Sequence, residues 1–337
     1  MTPVGADAWE QAATLVSQAR SVLLVGHVAP DGDALGSALA VGLALSRGRP
    51  GLHVEVSFGD DPFVVPANLG SLPGQELLVP PRDVCSPDVV MTFDASSIDR
   101  LGLLRETAES APHLVAVDHH ASYDGFGTLS LVDVTAPATA VLAGQLIDRL
   151  GLVVDRDVAA NLYTGLATDT GSFRYAGTTS QTLAFAGRLL DTGIRFDLIA
   201  RDLFDSVPFA YLGLLGRALD RAVLEPGSAG GLGLVWTVVP ALERHQAGLP
   251  FDLVEPIIDT VRKTAEAEVA TVFKEDDTGD LRVSMRSKGR IDVSLVAVDL
   301  GGGGHRYAAG YTASSRDLDT LVQALRDRLA TAPHLEP

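Results

Sequence analysis

Hydrophobic positions in the first half of the chain come as short unbroken runs: SVLLVG, HVEVSF, ELLVP, DVVMTF and HLVAV. Runs this short, rich in valine and apolar on successive residues, predict strands buried on both faces, as in a parallel or mostly parallel sheet. Helical periodicity appears from about Asp33 to Ser46 and again at TAVLAGQLIDRLG, DVAANLYTGLATDT and SQTLAFAGRLLDTG. Together these predict an α/β domain over residues 1–190, its sheet flanked by helices. The stretch FDLIARDLFDSVPFAYLGLLGRALDRA is helical in pattern and broken at Pro208, so residues 191–222 read as a helical linker. The turn EPGSAGG opens a smaller α/β domain over residues 223–337. Its strands are LGLVWTVV, AEVATVFKE and DLRVSMRSK, with helices near LVEPIIDTVRKT and LDTLVQALRDRLA. There is no internal repeat and no low-complexity tract.

Three of the apolar runs end in acids or histidines. SVLLVG leads into HVAPDGD with His27, Asp31 and Asp33; DVVMTFD ends on Asp94; HLVAVDHH ends on Asp118, His119 and His120. A fourth acid, Asp169, closes a helical pattern in ATDTGSF. The carboxyl ends of strands in an open α/β sheet border the ligand crevice, so groups distant in sequence can meet there. Singly, each has a structural reading: Asp31-Gly32-Asp33 suits a turn, and Asp33 ahead of ALGSALAVGLAL would serve as a helix N-cap. The recurrence at three strand ends points instead to a metal site. Carboxylate and imidazole donors suit Mn, Fe, Co, Mg or Zn. So many acids fit two ions about 3.5–4 Å apart better than one, the arrangement that clamps both oxygens of a phosphoryl displacement.

Charge and cysteine usage narrow the partners. A net charge of −17 argues against coating long nucleic acid, which requires basic surface. The excess lies outside residues 262–306, which balance. Cys85, the sole cysteine, can form no internal disulfide and no cysteine-rich cage, which argues against structural zinc. No apolar run approaches the length of a membrane span, and MTPVGADAWEQ lacks the basic and apolar regions of a signal peptide. A cytoplasmic protein without membrane contact is expected.

HVAPDGDALGS, DASSIDRLG, VDHHAS and TDTGSFR, in that order, resemble the four motifs of the DHH phosphoesterases. The resemblance implies two divalent ions, usually Mn²⁺, with Co²⁺ or Mg²⁺ as alternatives. One would be held by His27, Asp31 and Asp94, the other by Asp33, Asp94, His119 and Asp169, with Asp94 bridging. It further implies that His120 faces the substrate phosphate and that Asp118 orients the neighbouring histidines.

GGGGHRYAAGY, from Gly301 to Tyr311, is the other unusual stretch. It reads either as a flexible link between a strand and a helix-compatible AAGY, or as an anion cradle, since glycines let backbone N–H groups approach closely. No GK[ST] follows, so it is not a P-loop. With Arg286 in SMRSKGR it resembles the GGGHxxAAG signature of the DHH-associated C-terminal domain. That resemblance implies substrate contacts from Arg286, Gly302, Gly303, Gly304 and His305, with the substrate lying between the domains. Within the family, a two-domain chain of this length resembles the enzymes that degrade very short RNA and remove the 3′-phosphate of 3′-phosphoadenosine 5′-phosphate. The acidity fits short substrates, and the family implies a homodimer. A cyclic dinucleotide phosphodiesterase and a non-catalytic nucleotide sensor are the competing readings. The complete set of ligand residues favours turnover over sensing.

Overall fold

The computed structural model describes residues 4–175, 177–313 and 316–335 and separates into two units, Met1–Ser206 and Val207–Pro337. In the first unit the valine-rich runs pair side by side. Helix α1 (Ala6–Gln18) is followed by β1 (Ser21–Gly26), α2 (Gly32–Gly48), β2 (His53–Phe58), β3 (Val89–Phe93), α3 (Arg105–Ser110) and β4 (His113–Asp118). Then come β5 (Leu129–Val132), α4 (Thr139–Arg149), α5 (Arg156–Asp169), α6 (Ser180–Leu190) and α7 (Phe196–Phe204). The five strands are all parallel, in the order β2-β1-β3-β4-β5.

Apolar side chains leave this sheet on both faces, as the unbroken runs require. One face packs with Leu35, Leu39, Leu146 and Leu162 of α2, α4 and α5, the other with Leu101, Leu104 and Ala108. Helix α2 is buried from Gly32 to Leu45, because its small residues let α5 press against it. A Cβ on Gly36 would come 2.6 Å from the carbonyl oxygen of Asn161.

One expected strand is absent. ELLVP forms a 3₁₀ turn over Gln75–Leu77 and meets the sheet only through a single bridge from Leu78 to Val56. Gly74 turns the chain at φ +91° just before it, and Pro80 and Pro81 remove backbone donors just after it. An unforeseen strand, β5, takes the outer position beyond β4; LSLV is half-buried and shows no unbroken apolar run.

The second unit begins with α8 (Phe209–Asp220), β6 (Val223–Glu225), the short α9 (Ser228–Gly231), β7 (Leu234–Val239), α10 (Ala241–Gln246) and α11 (Ile257–Val261). It continues with β8 (Val269–Glu275), β9 (Leu281–Ser287), α12 (Val293–Asp299), β10 (Gly303–His305), β11 (Ala308–Thr312) and α13 (Leu318–Thr331). Its mixed sheet runs β10-β11-β9-β8-β7-β6. Helices α12 and α13 cover one face, and α8 and α11 pack on part of the other.

The glycine run corrects a second expectation. GGGGH does not link a strand to a helix; β10 and β11 form an antiparallel hairpin, and AAGY is the strand β11 paired with β9. Bare backbone is needed for this: a Cβ on Gly302 would sit 2.1 Å from the oxygen of Gly310. Gly304, at φ +137°, would bring one 2.6 Å from Ala309 Cα. Among the described residues no helix is long and apolar enough to cross a membrane.

Candidate metal centre

His27 follows the last residue of β1, and Ala29 at φ +51° turns the chain toward α2. Asp31, not Asp33, is the N-cap: its Oδ1 accepts from the backbone N–H groups of Asp33 and Ala34, each at 3.0 Å. Asp33 lies one residue inside the helix, fully buried, and meets the N-terminus of α4 instead. Its Oδ2 accepts from the Thr139 N–H at 2.6 Å and its Oδ1 from the Ala140 N–H at 2.8 Å. A helix N-terminus carries partial positive charge and suits a carboxylate there. Oδ1 also accepts from Ser37 Oγ at 3.2 Å, so it is Oδ2 that keeps a lone pair for another partner.

Asp94 follows β3 with φ +61°, a left-handed conformation that costs of order 1 kcal/mol or more and is held by surrounding contacts. Its N–H donates to the Val117 carbonyl at 3.0 Å, and Thr139 Oγ1 donates to its Oδ1 at 2.8 Å. Asp94 then stands at the centre of the cluster. Its carboxylate lies 3.7 Å from His27 Nε2, 3.4 Å from His119 Nε2 and 3.6 Å from His120 Nδ1.

At the end of β4, Asp118 is wholly buried and its Oδ1 accepts from His120 Nδ1 at 2.7 Å and from the His119 N–H at 2.8 Å. His119 donates through Nδ1 to the Ala136 carbonyl at 3.0 Å, which leaves Nε2 as the lone-pair nitrogen. That Nε2 faces Asp169 Oδ2 at 2.8 Å, at the C-terminal end of α5. His27 Nδ1 lies 2.8 Å from the Val28 carbonyl and 2.9 Å from Arg100 Nη2. Only one can be a hydrogen bond at a time; a proton on Nδ1 serves the carbonyl and turns the Nε2 lone pair toward Asp31 and Asp94.

The donors fall into two groups that share Asp94. One ligand atom each from His27, Asp31 and Asp94 lies within 4.8 Å of the others, and the same holds for Asp33, Asp94, His119 and Asp169. Their electrostatics fit a cation. Burial pushes Asp33 well above the usual carboxylate range, helped by Asp94 and Asp169. Burial, with Asp94 and Asp31, likewise takes Asp169 up to about 6 against the pull of His119. Burial opposes charge on His27, yet its contacts with Asp31 and Asp94 prevail and raise it to about 10. His119 is raised well above its ordinary value in the same way by Asp169 and Asp94. Protons on acids and imidazoles thus relieve a concentration of negative charge that a divalent ion would relieve better.

The second unit carries the other predicted residues. Arg286 on β9, Ala308 on β11 and His305 on β10 are register partners, so their side chains leave one face of the sheet in a row. Arg286 is part-exposed, 3.9 Å from Asp259. Gly303 differs from its neighbours: a Cβ there would meet nothing within 4 Å, and its φ is ordinary, so the fold alone does not require glycine.

Sequence reasoning missed Thr139 and the Ala136 carbonyl, which fix Asp33, Asp94 and His119. Nothing local in APATAV marks them, because they act largely through backbone groups. Arg100 belongs to a quoted motif, DASSIDRLG, but its place beside His27 follows only from the fold.

Residues 21–166 match the DHH family, N-terminal domain, and residues 236–331 match the DHHA1 domain. The chain is 32% identical to the bifunctional oligoribonuclease and PAP phosphatase NrnA of Thermus thermophilus, over 93% of this chain and 92% of that protein. It is 21% identical to the cyclic-di-AMP phosphodiesterase GdpP of Bacillus subtilis, over 93% of this chain but 48% of that protein. In fold it resembles an exopolyphosphatase-related protein from Bacteroides fragilis, with a TM-score of 0.86 at 22% identity, covering 98% of this chain and 97% of that one.

Proposed function

Because the chain belongs to the DHH family, carries a DHHA1 domain and is therefore a phosphoric ester hydrolase, we propose that it acts on very short RNA. The reaction is hydrolysis of species such as pApA to 5′-mononucleotides, together with removal of the 3′-phosphate of 3′-phosphoadenosine 5′-phosphate. The observation that carries this reading is the pair of donor groups sharing Asp94, in a chain that aligns with a bifunctional oligoribonuclease and PAP phosphatase over nine-tenths of its length.

DHH phosphoesterases depend on metals, and the residues present fit that requirement. His27, Asp31 and Asp94 would hold one ion and Asp33, Asp94, His119 and Asp169 a second, with Mn²⁺ suited to oxygen-rich donors and two imidazoles. Two such ions, when bound, would supply a nucleophile at neutral pH and neutralise charge developing on the phosphoryl group. His120, fixed through Nδ1 by Asp118, offers Nε2–H to a phosphate oxygen or to the leaving oxygen. Burial opposes its charge, but Asp94 and Asp118 raise its pKa, which favours the protonated form that a general acid requires. Arg286, Gly302, Gly303, Gly304 and His305 bind the nucleotide, and the unobstructed Gly303 lets a phosphate or sugar approach the backbone.

Gly165 on α5 is part of the same arrangement. A Cβ there would lie 2.6 Å from Asp33 Oδ1 and 2.9 Å from Ala140 Cβ. Gly165→Ala gains about 1 kcal/mol in helix propensity but forces a shift costing about 1–3 kcal/mol. The variant should unfold at a lower temperature and gain less from added Mn²⁺ than the native chain, as thermal melts with and without metal would show. An unchanged metal-induced shift would remove Asp33 from the ligand set.

The test is a comparison of initial rates with Mn²⁺ on equal concentrations of pApA, 3′-phosphoadenosine 5′-phosphate and cyclic di-AMP. Fast release of AMP from the first two is expected. Preference for the cyclic compound would overturn the assignment in favour of second-messenger turnover, the reading that the similarity to GdpP supports.

A further inference from the structure

His53, Glu55 and Cys85 form another donor cluster, at the opposite end of the first sheet. His53 opens β2 and Glu55 follows two residues later, so both side chains leave the same side of the strand. Cys85 lies in the segment between β2 and β3. His53 pairs in register with Ser21, the first residue of β1, whereas the metal-centre residues begin after Gly26 at its other end. A strand of this length separates the two places by roughly 17 Å.

Glu55 is the unusual member. It is 7% exposed on the outermost strand, while His53 and Cys85 are exposed. Among the described residues no lysine or arginine pairs with it; its partners are His53 Nε2 at 3.0 Å from Oε1, the Cys85 N–H at 3.0 Å from Oε2, and the Cys85 thiol, which its hydrogen bond to the carboxylate holds above the ordinary thiol range until a cation displaces the proton. A buried carboxylate so placed is costly without a fuller counter-charge. The backbone bond from Cys85 fixes the carboxylate, and the thiol, imidazole and carboxylate donors all lie within 4.8 Å of one another.

We propose that these three residues bind a thiophilic divalent cation, Zn²⁺ foremost, at a site separate from the oxygen-rich centre. Sulfur, nitrogen and oxygen donors together suit zinc and discriminate against Mn²⁺ and Mg²⁺. Tetrahedral bonds of about 2.0–2.3 Å place donor atoms roughly 3.2–3.8 Å apart, so small side-chain shifts complete the set and water fills the remaining position. Binding breaks the Cys85 S–H bond and forms a metal–sulfur bond; the proton passes to solvent and no electron is transferred. A bound ion ties the outer strand β2 to the segment that leads into β3.

The single cysteine makes the site spectroscopically distinct. Co²⁺ added to the reduced full-length protein should produce a thiolate-to-cobalt charge-transfer band in the near ultraviolet, which the thiol-free centre around Asp94 cannot give. The band's saturating amplitude should correspond to one thiolate-bound cobalt per chain, whatever cobalt the Asp94 centre also takes up; it should vanish in Cys85→Ser and be displaced by Zn²⁺. His53→Ala and Glu55→Gln should each weaken the apparent affinity by about tenfold or more. His53 and Cys85 are exposed, so their variants keep the fold even where Glu55→Gln does not. No band at saturating cobalt would overturn the proposal. So would a band whose midpoint is unchanged in His53→Ala, since that marks a lone thiolate.

Discussion

Replacing Asp94 with alanine should abolish metal-dependent hydrolysis, lowering kcat/KM by roughly 10³-fold or more, the scale of losing a principal electrostatic contact in a transition state. The carboxylate belongs to both donor groups, so its loss depletes each. Asp94→Asn is the sharper version. Asparagine tolerates the φ of +61° and keeps the side-chain shape, so the turn after β3 survives while the charge does not. Both variants should lose most of the rise in Tm that Mn²⁺ gives the native protein, because a ligand stabilises only through the state it binds. Retention of most of the native rate in either would sink the shared-ligand assignment.

A second large effect is expected at His120. His120→Gln removes the proposed proton donor but no member of either ligand group, so kcat should fall by about 10²–10⁴-fold with metal content unchanged. The pH profile separates this from simple distortion. His120 acts when protonated, so native activity should decline as pH rises through its raised pKa, and the variant should lack that alkaline decline. Loss of activity accompanied by loss of metal would instead make His120 a ligand.

The clustering of the candidate site residues was legible because charge at the end of a buried strand has no packing use. His27, Asp31, Asp33, Asp94 and the Asp118–His120 triplet each follow an apolar run, and a parallel sheet brings such ends to one side whatever the strand order. Thr139 escaped notice because its position at the N-terminus of α4 matters only once that helix meets Asp33, 106 residues away in sequence. AAGY looked helical because its strand state comes from pairing with β9, a partner no local pattern announces. ELLVP failed in the opposite way, since its residues suit a strand but Gly74, Pro80 and Pro81 leave it no ladder to join. Glu55 and His53 lie in HVEVSF, which reads as a buried strand and nothing more, and Cys85, thirty positions on, gave no sign of meeting them.

The burial of α2 on every side has a consequence for synthesis on the ribosome. Its apolar surface emerges early, but the helix that covers it, α5, is made more than a hundred residues later. Until then the nascent chain carries an uncovered greasy helix beside a half-built sheet, the state in which growing chains aggregate or recruit chaperones. His27, Asp31, Asp33, Asp94 and His119 are all translated before α5, yet Asp169 arrives last, on the very helix that buries α2. Completion of the second donor group and closure of the core are therefore one event, and a chain stalled short of α5 has neither.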